Sequence, residues 1–328
     1  MNNICEKLIK KYDLFWQYPV ISELTVFKQQ CDNDNYIGLP WATILDKNIN
    51  IQSLLLELKI EMNKLDSSNN KLDSSNNKKY ITFCQHIYFR KIIDILKFLN
   101  INILYTSHKI KSEDKIKTII IKPAPLYAVN IEDETRNIFF KKMDLFKLNL
   151  EDKYKILNNK KDIYYSFIGG YNPSCYLTKI RYNILKMKHH KKSYVKSTKG
   201  WHFENIVYQE QVRDIKINEL QKKTHDNSTT IYNMVLLRSR YSLCPSGSGP
   251  NSIRLWESLA VGSIPILLAD TLELPKHELW KKAILFVSEK YINNIVEILS
   301  KITKEKEEKM RKNCLIIYNH FKGDFLKL

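Results

Sequence analysis

Glycine and proline are scarce in this chain, eight and nine in 328 residues. Long apolar runs are absent. No run reaches the about 18 residues a membrane-spanning helix needs, and the longest, AVGSIPILLA, is broken by Gly262 and Pro265. The N-terminal MNNICEKLIKKYDLFW has no apolar core of signal-peptide length, so the expected location is the cytoplasm, or a host cytoplasm or virion for a virus-encoded chain. Cysteine occurs six times, at 5, 31, 84, 175, 244 and 314, with no CxxC or CxxxC pair. That spacing argues against a zinc site and a disulfide framework, and suits reduced thiols. No GK[ST] follows a glycine turn and no GxGxxG occurs. The letters DND at 32–34 sit in a polar run and read as a loop, so no metal motif is assigned. Acidic residues are also short, 35 against 53 Lys and Arg, for a net charge of +18. Two accounts fit that excess: a composition rich in Lys, Asn and Ile throughout, or attraction to anionic partners.

Hydrophobic residues at 44% and charged residues at 27% describe a globular chain with room for two domains. Residues 64–78, KLDSSNNKLDSSNNK, repeat a polar unit in tandem and read as a solvated, flexible loop. It separates a helical pattern at 51–62 from a strand-like run, YITFCQHI. INILYTS (101–107) and IKTIIIK (116–122) read as buried strands around a helical YFRKIIDILKFLN (88–100). In the second half, IYYSFIG (163–169), a strand-like element in MVLLRSRYSLCP (234–245), SIPILLAD (263–270) and AILFVS (283–288) read as strands. YLTKIRYNILKMK (176–188), NNIVEILSKI (293–302) and KEEKMRKNCLIIYNHF (306–321) read as helices. Short apolar strands alternating with helices imply parallel α/β sheets. Two such sets, broken near 150–160, imply two Rossmann-like domains facing a central cleft: 1–155, with the repeat loop, and 156–328.

The scarce glycines are not spread evenly. Gly247, Gly249 and Gly262 fall within residues 244–270, CPSGSGPNSIRLWESLAVGSIPILLAD. Gly247 and Gly249 permit close backbone approach, Asn251 or Ser252 can cap the helix that follows, and Gly262 suits its end. A capped helix start offers free N–H groups to an anion. Arg254 can fork onto a phosphate and Glu257, three residues on, can accept from a ribose diol. The bland alternative is a surface Arg–Glu pair.

The order and spacing of residues 239–275 resemble the signature of exostosin-type glycosyltransferases of family 47. The shared pattern runs from Ser239 through Gly247, Gly249, Ser252, Arg254 and Glu257 to Gly262 and Pro265. This chain departs from it in Tyr241 and Ser258, and in Ser246 where many members carry Arg. The resemblance implies the GT-B fold and a nucleotide-sugar site in the C-terminal domain, with Ser252 and Arg254 on the diphosphate and Glu257 on the ribose. Ser239 and Arg240, just upstream, would line the donor pocket. YSFIGGYNPSCYLTKIRYNIL (165–185) is similar to a second family segment, and assigns Gly169 to the donor edge and Arg181 to the diphosphate. In KGWHFENIVYQEQV (199–212) His202 reads first as part of a packed loop and second as an active-site group.

The N-terminal half matches more loosely, through 36–48, 80–92 and 119–137, segments that look like exostosin-related N-terminal domains of bacteria and large viruses. Transfer with inversion needs one base for the acceptor hydroxyl. Candidates are His86, Asp46, Asp133 and Glu132, with His86 preferred because an imidazole needs little tuning, and His108 as a second histidine. A hydrogen-bonded structural role is the alternative for each. Taken together, the expectation is an inverting transferase moving a sugar from a nucleotide sugar, a UDP-sugar, to a glycan or glycoprotein acceptor. Neither a metal nor another cofactor is assigned, nor a nucleic-acid partner. The last helix, near 304–320, is expected to cross back to the N-terminal domain. The rival is a non-catalytic basic protein that binds a nucleotide sugar or nucleic acid. The charge supports it, and the lack of helix-turn-helix, RNP-like or zinc patterns opposes its nucleic-acid form.

Overall fold

The computed structural model describes residues 1–69, 79–145, 147–159 and 161–327. They form two compact units: Met1–Pro125 with Glu273–Pro275 and Asp324–Leu328, and Leu126–Leu272 with Lys276–Gly323.

The first unit holds a four-stranded sheet of β1 (Tyr80–Cys84), β2 (Ile101–Thr106), β3 (Lys115–Ile116) and β4 (Ile119–Pro123) in the order β1-β2-β4-β3. β1, β2 and β4 run parallel, and β3 pairs antiparallel on the edge. Every residue of β1 is buried, as in a strand covered on both faces, and the one polar member, Thr82, donates its hydroxyl to the Ile37 carbonyl (2.6 Å). The run 116–122 reads as one strand but folds as a hairpin, because Lys117 turns the chain at φ 53°. Helices α1 (Asn2–Lys11), α2 (Ser22–Gln29), α3 (Trp41–Asp46), α4 (Gln52–Asn69) and α5 (Ile93–Phe98) belong to the same unit. α4 runs on through residues 64–69, so the first copy of the polar repeat continues the helix in place of the expected loop; residues 70–78 lie outside the described residues.

The second unit holds β5 (Ile163–Gly169), β6 (Tyr194–Ser197), β7 (Ser239–Pro245), β8 (Ile264–Leu268) and β9 (Leu285–Phe286) in the order β6-β5-β7-β8-β9, all parallel. Its helices are α6 (Val129–Glu132), α7 (Ile138–Lys141), α8 (Leu150–Asn158), α9 (Ile180–Lys186), α10 (Glu219–Arg238), α11 (Ile253–Ala260), α12 (Trp280–Ala283), α13 (Ile295–Ser300) and α14 (Lys304–Gly323). Asn218 and Gln221 form a reciprocal capping box at the start of α10. Residues 204–212 wind as a π-helix where sequence suggests a packed loop. Residues 126–155, assigned from sequence to the N-terminal half, bond within the second unit. Glu132 accepts from Tyr318 (2.6 Å) and pairs with Lys322 (2.8 Å). The short apolar stretch Ala128, Val129 and Ile131 is buried there, a signal too brief to assign by pattern. α14 itself stays in the second unit. The five residues after it belong to the first, where the Phe325 N–H donates to Gln29 Oε1 (2.9 Å).

Candidate active site

The chain leaves β5 for β6 on one side and returns to β7 on the other, so the sheet has a topological switch point between β5 and β7. In open parallel sheets a crevice opens there, beyond the carboxyl ends of the strands. Gly169 ends β5, and Ser246 and Gly247 follow the end of β7. Arg181 of α9 and Arg254 of α11 both converge on this point. Arg181 Nε donates to the Ser246 carbonyl (2.8 Å), and Arg254 Nη2 donates to the Ile168 carbonyl. Their guanidiniums lie over aromatic rings: Arg254 4.6 Å from the centre of Phe167, Arg181 4.7 Å from Tyr176. Burial and the neighbouring Arg254 charge push the Arg181 guanidinium down to about 10. Among the described residues neither arginine has a carboxylate in ion-pair range, and Arg254 Nη1 is buried without a hydrogen-bond partner. Two like charges held together by rings and carbonyls are costly unless an anion joins them.

The glycines explain how the arginines fit. A Cβ on Gly247 would stand 3.0 Å from Arg181 Nη2; one on Gly169 would stand 3.4 Å from Arg254 Nη2 and 3.5 Å from Arg181 Nη1. Ser252 is the N-cap residue of α11 yet makes no side-chain cap bond. Its own N–H is taken by the buried Asn251 Oδ1 (2.8 Å), which also accepts from Trp256 Nε1 (3.3 Å). The Ser252 hydroxyl therefore stands at the helix start with the positive end of the dipole. Gly249 is buried in the same turn, and its carbonyl accepts the Gly247 N–H (2.9 Å). Gly169, Arg181, Gly247 and Arg254 are thus neighbours, and Gly249 and Ser252 lie on the turn between β7 and α11. The motif reading does not pick out Phe167 and Tyr176. Phe167, two residues before Gly169, shares its side of the strand, a period-two signal that could have found it.

Three assigned residues lie elsewhere. Glu257 is 1% exposed. Its Oε1 accepts from the Asn130 N–H (2.9 Å) and Nδ2 (2.8 Å), its Oε2 from the Tyr232 hydroxyl (2.6 Å), and burial raises its pKa. The Arg–Glu spacing assumes a solvated helix face, but α11 buries every residue from Leu255 to Ala260. The carboxylate is a bracket between α6 and α10, with no side open to a ribose. Ser239 and Arg240 begin β7, at the end of the strand away from the switch point. Ser239 is buried and donates to the Val235 carbonyl (2.6 Å). Arg240 pairs with Glu307, which also holds the Tyr241 hydroxyl (3.1 Å) and Arg311.

In the first unit Asp46 and His86, both base candidates, form one pair: His86 Nε2 lies 2.9 Å from Asp46 Oδ1, and Gln17 donates to Asp46 Oδ2 (2.5 Å). His86 follows β1 at its carboxyl end. Its Nδ1 accepts the Tyr88 N–H (3.1 Å), so both ring nitrogens are engaged. His108, just past β2, is buried; burial and the nearby His86 push it down to about 3, and its Nδ1 has no partner among the described residues. Glu23, not picked out from sequence, is buried beside them, accepting from the Ala42 (3.1 Å) and Gln85 (3.0 Å) N–H groups, with burial raising it to about 8. Asp133 belongs to the second unit and accepts from the Thr135 N–H (3.0 Å) and hydroxyl (2.5 Å), a turn-forming role. His202 is locked in place with Arg136 and stacks on His225 at 4.3 Å.

Residues 139–302, half of the chain, match the exostosin GT47 domain. The chain belongs to the exostosin GT47 family. The matched region contains β5 through β9 and every member of the two-arginine site. Among similar proteins are a probable glucuronoxylan glucuronosyltransferase of Arabidopsis thaliana, 33% identical over 84 residues (25% of this chain, 18% of that protein), and a probable β-1,4-xylosyltransferase of the same plant, 35% identical over 94 residues (28% and 23%). Exostosin-1 of Drosophila melanogaster is 25% identical over 118 residues (35% and 16%). The matched stretches span less than a quarter of these relatives' lengths. In this family member the glycine turn and the two arginines are assembled, while the acid of the same signature faces inward.

Proposed function

We propose that this exostosin-family chain is a glycosyltransferase that takes a nucleotide sugar, a UDP-sugar, and passes the sugar to a glycan or glycoprotein hydroxyl. The observation that carries the reading is the pair of guanidiniums at the β5/β7 switch point with one buried Nη1 unpaired. A diphosphate supplies the negative charge those groups call for, and the same groups would stabilise it as it leaves. The Ser252 hydroxyl and the first N–H groups of α11 would complete the cradle. We assign transfer to direct displacement with inversion, and the acceptor-side base to the Asp46–His86 pair. His86 can take a proton at Nδ1 only after its bond from Tyr88 opens.

A screen of UDP-sugars for UDP release tests turnover. The expected outcome is release with at least one donor, reduced ~10- to 100-fold by Arg254→Ala, the range for losing a charge-assisted contact. Because that substitution relieves a repulsion with Arg181, Tm should hold or rise. A second reading, a nucleotide-sugar binder without turnover, is favoured by the engaged state of His86 and Glu257. UDP binding without release from any donor would select it.

A further inference from the structure

Next to the turn that follows β7 stands an acid, Glu289. It lies past the carboxyl end of β9 and opens the short 3₁₀ helix Glu289–Asn294, which packs against α9. The side chain is half-buried, and burial pushes its carboxyl up. Its Oε1 accepts from the buried Ser246 hydroxyl (3.1 Å). Thr178, whose hydroxyl lies 3.3 Å from that of Ser246, bonds the same carboxylate. Among the described residues no Lys, Arg or His forms an ion pair with it. A carboxylate drawn partly out of water and met only by hydroxyls is costly to keep. What it makes is a junction. The Glu289 N–H donates to Asp270 Oδ1 (3.2 Å) and the Ser288 hydroxyl to Oδ2 (2.9 Å), so Glu289 is itself fixed two residues past the end of β8. From there it reaches the turn after β7 through Ser246, and the lead-in to α9 through Thr178, which accepts the Ile180 N–H (3.3 Å).

We propose that Glu289 is a positioning residue for the donor diphosphate: it fixes the Ser246 turn against the start of α9 and so keeps the Arg181 guanidinium where it meets the phosphates. The inference rests on the nucleotide-sugar reading of the site. Arg181 needs such a hold. Among the described residues it makes one hydrogen bond, from Nε to the Ser246 carbonyl (2.8 Å). The rings of Tyr176 (4.7 Å) and Phe167 (5.9 Å) face the guanidinium but set no direction within its plane. The placement of one carbonyl therefore decides where the fork points, and a shift of about 1 Å in a binding group can cost up to ~100-fold. Backbone bonds tie the same turn: the Ser246 N–H donates to the Leu268 carbonyl (3.0 Å), and the Leu177 N–H to the Gly247 carbonyl (2.9 Å). Without Glu289 the turn would shift and not melt. The acid acts through Ser246, Thr178 and Arg181, and not by touching the ligand.

The test titrates the intact chain by calorimetry with UDP and with uridine, which lacks the phosphates. The proteins are the parent, Glu289→Ala, Glu289→Gln, Arg181→Ala and Glu289→Ala/Arg181→Ala, each with its Tm. Glu289→Ala should weaken UDP ~5- to 20-fold and leave uridine within twofold. Glu289→Gln, whose carbonyl oxygen still accepts from both hydroxyls, should keep UDP within threefold of the parent. Because Glu289 works through Arg181, adding Glu289→Ala to Arg181→Ala should cost no more than a further twofold. Should Glu289→Ala fail to fold, Ser246→Ala takes its place in the cycle, with a loss of at least threefold expected for UDP alone. UDP affinity unchanged in the alanine variant, equal losses for UDP and uridine, a glutamine variant as weak as the alanine one, or losses that multiply in the double variant would overturn the proposal and leave the donor reading standing. A parent that binds UDP no tighter than uridine would remove the donor reading, and the proposal with it.

Discussion

Gly247 leaves little room for a side chain: a methyl group there meets Arg181 Nη2 at 3.0 Å, and the guanidinium that must give way is tied to Ser246 and backed by Tyr176. Gly247→Ala should therefore push the guanidinium off its station and lower UDP affinity ~10-fold while Tm moves little, since the turn lies at the end of a strand and not within one. Calorimetry and a thermal melt on the same sample check both halves. At this scale the sequence spoke clearly about Gly169, Gly247, Arg181 and Arg254. A chain so poor in glycine spends it where backbone must come close, and each glycine turn leads on to a helix whose second residue is one of the two cations. It spoke misleadingly about Glu257. Spacing says which residues are neighbours along a helix, not which neighbours another helix will cover. Asn130 and Tyr232, the groups that occupy this carboxylate, are far away in sequence.

Elements show the same division. Strands β5, β7 and β8 were legible because buried parallel strands are short apolar runs between turn residues. α10 was not, although it spans Glu219–Arg238, because its first half is polar and the stripe it buries, His225, Thr229 and Asn233 at four-residue spacing, is made of polar residues that a hydrophobic pattern does not register. Along β7 alternation decides fate. Arg240 points to Glu307 while the site lies past Pro245, so Arg240→Ala should leave UDP affinity within twofold and cost about 1–3 kcal/mol of stability through the Glu307–Arg311–Tyr241 network it abandons. A urea melt measures the cost. Past the C-cap of α11, Val261, the chain turns at Gly262, which adopts φ +60° with Arg311 Cγ 2.9 Å from where a Cβ would be. Gly262→Ala should lose about 1–3 kcal/mol, through both the left-handed backbone and the clash.

For the molecule as a whole, buried histidines set the response to acid in the second unit. Burial and the Arg136 charge hold His202 well below the ordinary imidazole range and His225 down to about 4. Both are neutral in the fold, so the unfolded chain binds more protons below pH ~6.5. Their stabilising contribution is full above that pH and is lost as pH falls towards 4. Glu257 and Glu289, raised by burial, work the other way, as does Glu23 in the first unit, while His108, His189 and His277, all lowered by burial, add to the histidine side. Tm followed by circular dichroism should drop by at least ~4 °C between about pH 7 and pH 4.5, with a shallower slope in His202→Asn/His225→Asn. The division of the chain was the least legible property, because helices α6 and α7 are only four residues long each and show no periodicity to declare a side; contacts such as Tyr318 to Glu132 decide it. The central claim concerns the two arginines, and calorimetric titration of the intact chain with UDP and with uridine tests it most directly. The account predicts that UDP binds at least tenfold tighter than uridine, and that Arg181→Ala and Arg254→Ala each weaken UDP ~10-fold or more, about 1.4 kcal/mol, in folded protein. UDP affinity equal to that of uridine, or unchanged in both variants, would contradict it.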